Sequence, residues 1–417
     1  MGTTSSFFGS GDTQVVTPAT GFQKNYSFLA NSVFNNPTGT DGNAATNRLM
    51  TPMSDTHFLV ATKNTDSVAN NSFLQLFELN SDGTIVQIGS NLNIGNIEPL
   101  SLSANGVYGI LVAIGRQSQG GYIYKITWDG NTTLSLTQLY SDGDGTAATK
   151  KACLTTVLTD GRLMGLYSRF ANTRYCGYAM IDTDGNTGAV AQKTTNFDQS
   201  SLDSSFGACG TGDGIYVVGR SHNVSTRLNG MKIWPKINST TIPDQGEAYT
   251  QSAAVSNFQY FSSVPTAQGS VITNYLSGTN NTGQTYRRYL MQTGYQPVNF
   301  LQFSDTAPSS AGSGIQSGMP YLPERNEQYG ATLGPLKRTY NGSYQDSAHS
   351  LVSIDASNNL FPAIKDPVYS LRRVVGSGSS LSTLTGRTNS CLMGNTIVSL
   401  LNDYSNFKYN FNVWNIG

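Results

Sequence analysis

Two kinds of apolar stretch recur along this chain. Some are apolar at nearly every position, as in Ile110-Leu111-Val112-Ala113-Ile114, Ile215-Tyr216-Val217-Val218 and Ile397-Val398-Ser399-Leu400-Leu401. Others alternate with period two: Tyr122, Tyr124, Ile126 and Trp128 fall on one face, as do Phe407, Tyr409, Phe411 and Val413. The first pattern predicts strands covered on both sides, the second strands whose two faces differ.

Between the apolar stretches lie short polar turns, and their spacing is regular. Asn105-Gly106, Asp160-Gly161, Asp213-Gly214 and Gln268-Gly269 each precede an apolar strand, with glycines 55, 53 and 55 residues apart. A second series, Asp129-Gly130, Asp184-Gly185 and Asn238, follows the first by 24 residues each time, and Gly294 follows Gly269 by 25. Asp82-Gly83 belongs to the same series one repeat earlier. Asn-Gly and Asp-Gly favour tight type I′ hairpins, so each turn is expected to join two antiparallel strands. Two hairpins per repeat make four strands per repeat. Weaker turns at Ser54-Asp55-Thr56, Asn326-Glu327-Gln328 and Met393-Gly394-Asn395 bring the first series to seven members, near 55, 106, 161, 214, 269, 327 and 394. Four-stranded antiparallel units of about 50 residues repeated in this way predict an all-β chain folded as a seven-bladed β-propeller.

The last repeat lacks a fourth strand: 24 residues beyond Gly394 lies past Gly417. The missing strand is expected from Tyr26-Ser-Phe-Leu-Ala-Asn-Ser-Val-Phe34, upstream of the first blade near Arg48. A blade completed this way removes an aggregation-prone edge and locks the ring. The domain reading is an N-terminal arm over residues 1–24 and a propeller over 25–417, with its closing strand at about 26–34.

Composition fits this architecture. Gly, Ser, Thr and Asn account for 173 of 417 residues, while 25 basic and 25 acidic residues cancel and only 12% of the chain is charged. Without a basic excess no nucleic acid is expected as a partner, and without a long apolar run no membrane insertion. The first residues carry neither a basic region nor an apolar run of signal-peptide length, so no export by that route is expected. Cys153, Cys176, Cys209 and Cys391 have no paired spacing, and His57, His222 and His349 lie apart; neither a metal site nor a cofactor is expected.

Catalytic residues are not expected either. Asp82, Asp129, Asp160, Asp184 and Asp213 all precede glycine and read as turn formers. Asp203, Glu247, Glu324 and Glu327 remain, with nothing to make them converge as glycoside hydrolysis requires. Trp128, Trp234 and Trp414 fall near the ends of third strands, a packing position. Recognition through Tyr-, Asn-, Ser- and Gly-rich loops stands beside a plainer reading, in which small polar residues keep an uncharged all-β protein soluble. The longest departure from the repeat, about 308–340, carries Tyr321, Arg325, Tyr329, Lys337, Arg338 and Tyr340, and insertions of this kind mark binding faces. Arg372-Arg373 lies in a second insertion, and the arm presents two adjacent anchors, Phe7 and Phe8.

The opening Thr3-Thr-Ser-Ser-Phe-Phe-Gly-Ser-Gly11 resembles the N-terminal stretch of some tailed-phage structural proteins, and the low-charge composition is similar to that of virion tail and fibre proteins. The resemblance implies a non-enzymatic virion protein, made in the host cytoplasm and present in several copies. Its arm would bind other tail or head components, and its loops a neighbour or a host-surface glycan. Two other readings stand beside it, a free lectin-like propeller and a propeller glycoside hydrolase.

Overall fold

The structure, a computed structural model, describes residues 26–35, 37, 48–62, 71–115, 120–142, 150–158, 160–170 and 174–192. Further along it describes 202–211, 214–221, 227–233, 249–252, 258–265, 271–277, 285–291, 297–303, 328–334, 338–339, 344–345, 348–354, 360–362, 389–403 and 408–416. Between 202 and 362 the backbone alone is described.

Every regular element described is a strand. β1 (Tyr26–Asn35) comes first. The first sheet contains β2 (Arg48–Pro52), β3 (His57–Thr62), β4 (Ser72–Leu79) and β5 (Ile85–Gly95). The second contains β6 (Ile97–Asn105), β7 (Tyr108–Gly115), β8 (Gly121–Trp128) and β9 (Leu134–Ser141). The third contains β10 (Lys150–Val157), β11 (Leu163–Phe170), β12 (Arg174–Ile181) and β13 (Thr187–Gln192). The fourth contains β14 (Leu202–Thr211), β15 (Gly214–Ser221), β16 (Arg227–Ile233) and β17 (Tyr249–Ser252). The fifth contains β18 (Phe258–Pro265), β19 (Val271–Ser277), β20 (Thr285–Met291) and β21 (Pro297–Phe303). Then come β22 (Gln328–Gly334), β23 (Arg338–Thr339), β24 (Tyr344–Gln345), β25 (Ala348–Ile354) and β26 (Leu360–Pro362). The last three are β27 (Asn389–Met393), β28 (Thr396–Asp403) and β29 (Lys408–Ile416).

The five numbered sheets are four-stranded antiparallel meanders with their strands in chain order. β22, β25 and β26 form a three-stranded sheet, and β23 pairs with β24 in a separate ribbon. The expectation of four strands in one sheet therefore does not hold for that segment as described. β1 joins the end of the chain in the order β1-β29-β28-β27, running antiparallel to β29 from Tyr26 opposite Ile416 to Asn35 opposite Lys408. First strands lie side by side, β2 against β6, β6 against β10, β10 against β14 and β14 against β18, while β27 lies against both β22 and β2. Sheets stacked face to face about their first strands make a propeller-like array.

The continuous apolar runs follow from this stacking. On β3, Phe58 and Val60 pack toward the closing sheet while Leu59 and Ala61 pack toward the second sheet. On β7, Leu111 and Ala113 face the first sheet, and Ile110 and Val112 face the third. A second strand is thus sandwiched between neighbours, so both of its faces must be apolar. Two glycines let tyrosines through: a Cβ on Gly121 would come within 2.2 Å of the Tyr167 ring, and one on Gly177 within 2.2 Å of the Tyr140 ring.

The turns depart from the expected type I′ geometry. At Asn80–Thr84 the Gly83 N–H donates to Asn80 O at 3.0 Å and the Asn80 N–H to Thr84 O at 2.8 Å, closing a three-residue loop. The same pair of bonds closes the loops ending in Gly161 and Gly185, and all three glycines have φ near +85° (86°, 86° and 83°). Such a loop needs positive φ only at the glycine, whereas type I′ would also force the aspartate there. Two-residue loops occur at Gly106-Val107 and Gly394-Asn395, with glycine first rather than second.

Candidate recognition surface

The hairpins joining first to second strands and third to fourth strands all end at the same edge of their sheets, because the strands alternate in direction. Hydrogen bonds between sheets tie these turns together. The Gly106 N–H donates to Met53 O at 2.8 Å, Asn105 Nδ2 to Gly161 O at 2.8 Å and Tyr108 Oη to Asp184 O at 3.2 Å. Lys125 Nζ lies 4.8 Å from the centre of the Tyr108 ring and donates to Gly185 O. The result is a continuous turn-bearing face running across the first three sheets.

Its carboxylates serve their own loops. Asp82 Oδ1 accepts from the Thr84 hydroxyl at 2.6 Å and the Thr84 N–H at 2.9 Å. Asp129 Oδ1 accepts from the N–H groups of Asn131 and Thr133 at 2.8 and 3.0 Å. Asp160 accepts from the Arg162 N–H and, at 2.6 Å, from its Nε. In the third sheet the carboxylate doing this is Asp182, which accepts from Asp184 and Asn186. Asp184, one residue before Gly185, stands in the same turn, where its N–H donates to Asp182 and its carbonyl accepts from Tyr108.

These bonds favour the ionised form, so three of the carboxyls titrate below the ordinary aspartate range. For Asp82 the main cause is the Thr84 hydroxyl, for Asp129 the Thr133 N–H and for Asp182 the Asn186 side chain. Burial, with a smaller contribution from Tyr122, pushes the Tyr124 hydroxyl up to about 12, and burial raises the Cys391 thiol, leaving it protonated. Among the described residues no three His, Cys, Asp or Glu side chains group as a metal site.

One cluster on this face combines aromatic surface with polar side chains. The loop Met53–His57 places His57 at the start of β3, and its ring centre lies 4.7 Å from that of Trp128, inclined by 37°. Trp128, at the end of β8, is held from behind: its indole N–H donates to Asn131 O at 3.1 Å and its backbone N–H to Val107 O at 2.9 Å. His57 Nδ1 is 3.0 Å from Thr56 Oγ1, and Ser54 Oγ accepts the N–H groups of Thr56 and His57. Asp55 and Thr56 of the same loop are exposed.

Packing describes Trp414, 2% exposed, but only part of Trp128, whose inner edge meets the core between the first two sheets while its outer part stands at the rim with His57. Trp234 lies outside the described residues. So do Phe7, Phe8, Tyr321, Arg325 and Tyr340, as well as Glu247, Glu324 and Glu327. Tyr329 is placed in β22, within a sheet rather than in an insertion loop, and Arg338 in the ribbon strand β23. Asp203 lies in β14. Sequence reasoning passed over His57, and its signal was weak: a lone histidine after a polar turn, 71 positions before the tryptophan it meets.

No family model and no curated protein matches this chain. Among solved structures it is similar to the phage phi92 endosialidase at 9% identity, with 95% of this chain and 69% of that one covered and a TM-score of 0.47. It is similar also to an alpha-L-arabinanase of Penicillium chrysogenum, solved with arabinobiose, at 13% identity, 78% and 98% coverage and a TM-score of 0.48. A third is the Aleuria aurantia lectin in complex with alpha-methyl-L-fucoside, at 9% identity, 75% and 93% coverage and a TM-score of 0.39.

Proposed function

We propose that this chain is a non-enzymatic structural protein of a tailed-phage virion. Its body is a seven-bladed propeller, its residues 1–24 are an attachment arm anchored through Phe7 and Phe8 to tail or head components, and its loops make assembly contacts or bind host-surface glycan. It is present in several copies per particle. The observation that carries the reading is the pairing of β1 with β29. A ring fastened from Tyr26 onward leaves the preceding residues for attachment. A binding rather than hydrolytic role is supported by the turn aspartates: Asp82, Asp129, Asp160 and Asp182 are engaged by their own loops, which does not suit the pair of opposed carboxyls that glycoside cleavage uses.

Particle incorporation tests this. With the gene supplied in trans to phage lacking it, the full chain is expected to copurify with particles through a density gradient. Deletion of residues 1–24 is expected to abolish incorporation while leaving the melting temperature of the purified protein unchanged. Equal incorporation of the truncated chain would overturn the arm, and absence of the full chain from particles would overturn the virion reading.

A further inference from the structure

We infer that the surface patch where the first two sheets meet, bearing Ser54, Asp55, Thr56, His57, Val107 and Trp128 on the turn-bearing face, is a binding site for an uncharged pyranose. The inference deepens the glycan-recognition part of the reading above and rests on it.

An aromatic ring held at a rim, with one part in the core and the rest outward, offers a flat apolar surface to the C–H groups of a sugar ring. Trp128 is such a surface, and it is fixed in place before any ligand arrives, by the Asn131 carbonyl on its N–H and by His57 beside it. Ligand sites gain from pre-organised groups, because less conformational freedom is lost on binding. Sugar hydroxyls need acceptors and donors next to that surface. Asp55 is exposed in the same loop, and among the described residues no hydrogen bond within a turn occupies its carboxylate as one occupies those of Asp82, Asp129, Asp160 and Asp182. Thr56 Oγ1 lies 3.0 Å from His57 Nδ1 and holds that side of the ring within the loop.

Charge selects the kind of sugar. Six aspartates, at 55, 82, 129, 160, 182 and 184, stand in the described turns of this face. Among the described residues Arg162, paired with Asp160, and Lys125, held by Gly185 O and the Tyr108 ring, are the cations beside them, so carboxylates outnumber cations. A carboxylated or phosphorylated sugar would meet net repulsion there, whereas a neutral hexopyranose would find acceptors for its hydroxyls.

Saturation-transfer NMR on the full-length protein provides the test, using the methyl α-D-pyranosides of glucose, galactose and mannose as probes and N-acetylneuraminic acid as the anionic control. At least one neutral glycoside is expected to give transfer, with little from the acid. Trp128→Ala is expected to weaken that binding at least tenfold. Trp128→Phe and His57→Gln, which preserve much of the packing, are expected to weaken it by smaller factors, with circular dichroism and melting temperature reporting that the fold is kept. Absence of transfer from all three glycosides, stronger transfer from the acid, or undiminished binding by folded Trp128→Phe and His57→Gln together would overturn the site. Particles carrying Trp128→Phe are expected to assemble normally, so failure of this site and failure of the virion reading are read from different experiments.

Discussion

Truncating Phe411 to alanine probes the lock between the end of the chain and its beginning. The ring is fully buried on β29, with its centre 4.9 Å from that of Phe77, 5.4 Å from Phe58, 5.7 Å from Phe34 and 6.4 Å from Tyr409. Those partners lie on β4, β3, β1 and β29, so one side chain joins the closing sheet to the first sheet. Phe→Ala in a core costs about 3–5 kcal/mol, through lost transfer energy and the cavity left behind. Four aromatic neighbours that cannot all collapse inward place this site near the middle of that range or above, at about 4 kcal/mol. An unfolding entropy of about 2.1 cal/mol/K per residue gives roughly 0.9 kcal/mol/K for the whole chain, so the expected fall in melting temperature is about 4–5 °C. Calorimetry and urea titration followed by circular dichroism measure both quantities. Phe34→Ala, on the half-buried closing strand, is expected to lose less. The double mutant should show a coupling of about 0.5–1.5 kcal/mol between the two rings. A Phe411→Ala loss below about 1 kcal/mol, or strict additivity with Phe34→Ala, would refute the docking of β1 as the ring's fastening.

Other outcomes follow from single contacts. Gly121→Ala puts a methyl group into the Tyr167 ring and is expected to cost about 1–3 kcal/mol by overpacking, measurable by urea denaturation. Asp82, Asp129 and Asp182 titrate lower folded than unfolded, so their contribution is complete above the unfolded aspartate value of about 3.9 and disappears as pH falls through their folded values. The wild type should therefore lose more stability than the triple Asp→Asn variant between about pH 5 and pH 2; parallel curves would sink that account. Gln75 is 1% exposed, and its Oε1 has no partner among the described residues although its Nε2 reaches Asn91, so Gln75→Met is expected to be neutral or to raise stability by about 1 kcal/mol in the same titration. In a variant retaining Cys391 as its one thiol, a disulfide reagent should react only on unfolding, because burial keeps that thiol protonated and covered.

The repeat could be read from sequence because the turns of these hairpins need a backbone conformation that glycine alone adopts cheaply, and those glycines recur at a fixed offset. The same local logic gave the two-sided apolar second strands, the Tyr122-Tyr124-Ile126-Trp128 face and the strand beginning at Tyr26. It did not reach the form of the turns, since loop length depends on where the hydrogen-bonded register closes. In loops of the same form the accepting carboxylate directly precedes glycine at Asp82 and Asp160 but stands three residues before it at Asp182.

In the five four-stranded sheets local pattern along the chain was thus enough to determine strands and their hairpin partners, because each of these depends on residues a few positions apart. Only the tertiary structure decided what meets across sheets: Phe58 with Phe411, Tyr167 in the space left by Gly121, and His57 beside Trp128. None of these pairs leaves a periodic trace, since each is set by the rotation of one sheet onto the next. The candidate sugar site, made from a turn of the first sheet and a strand end of the second, is of that second kind.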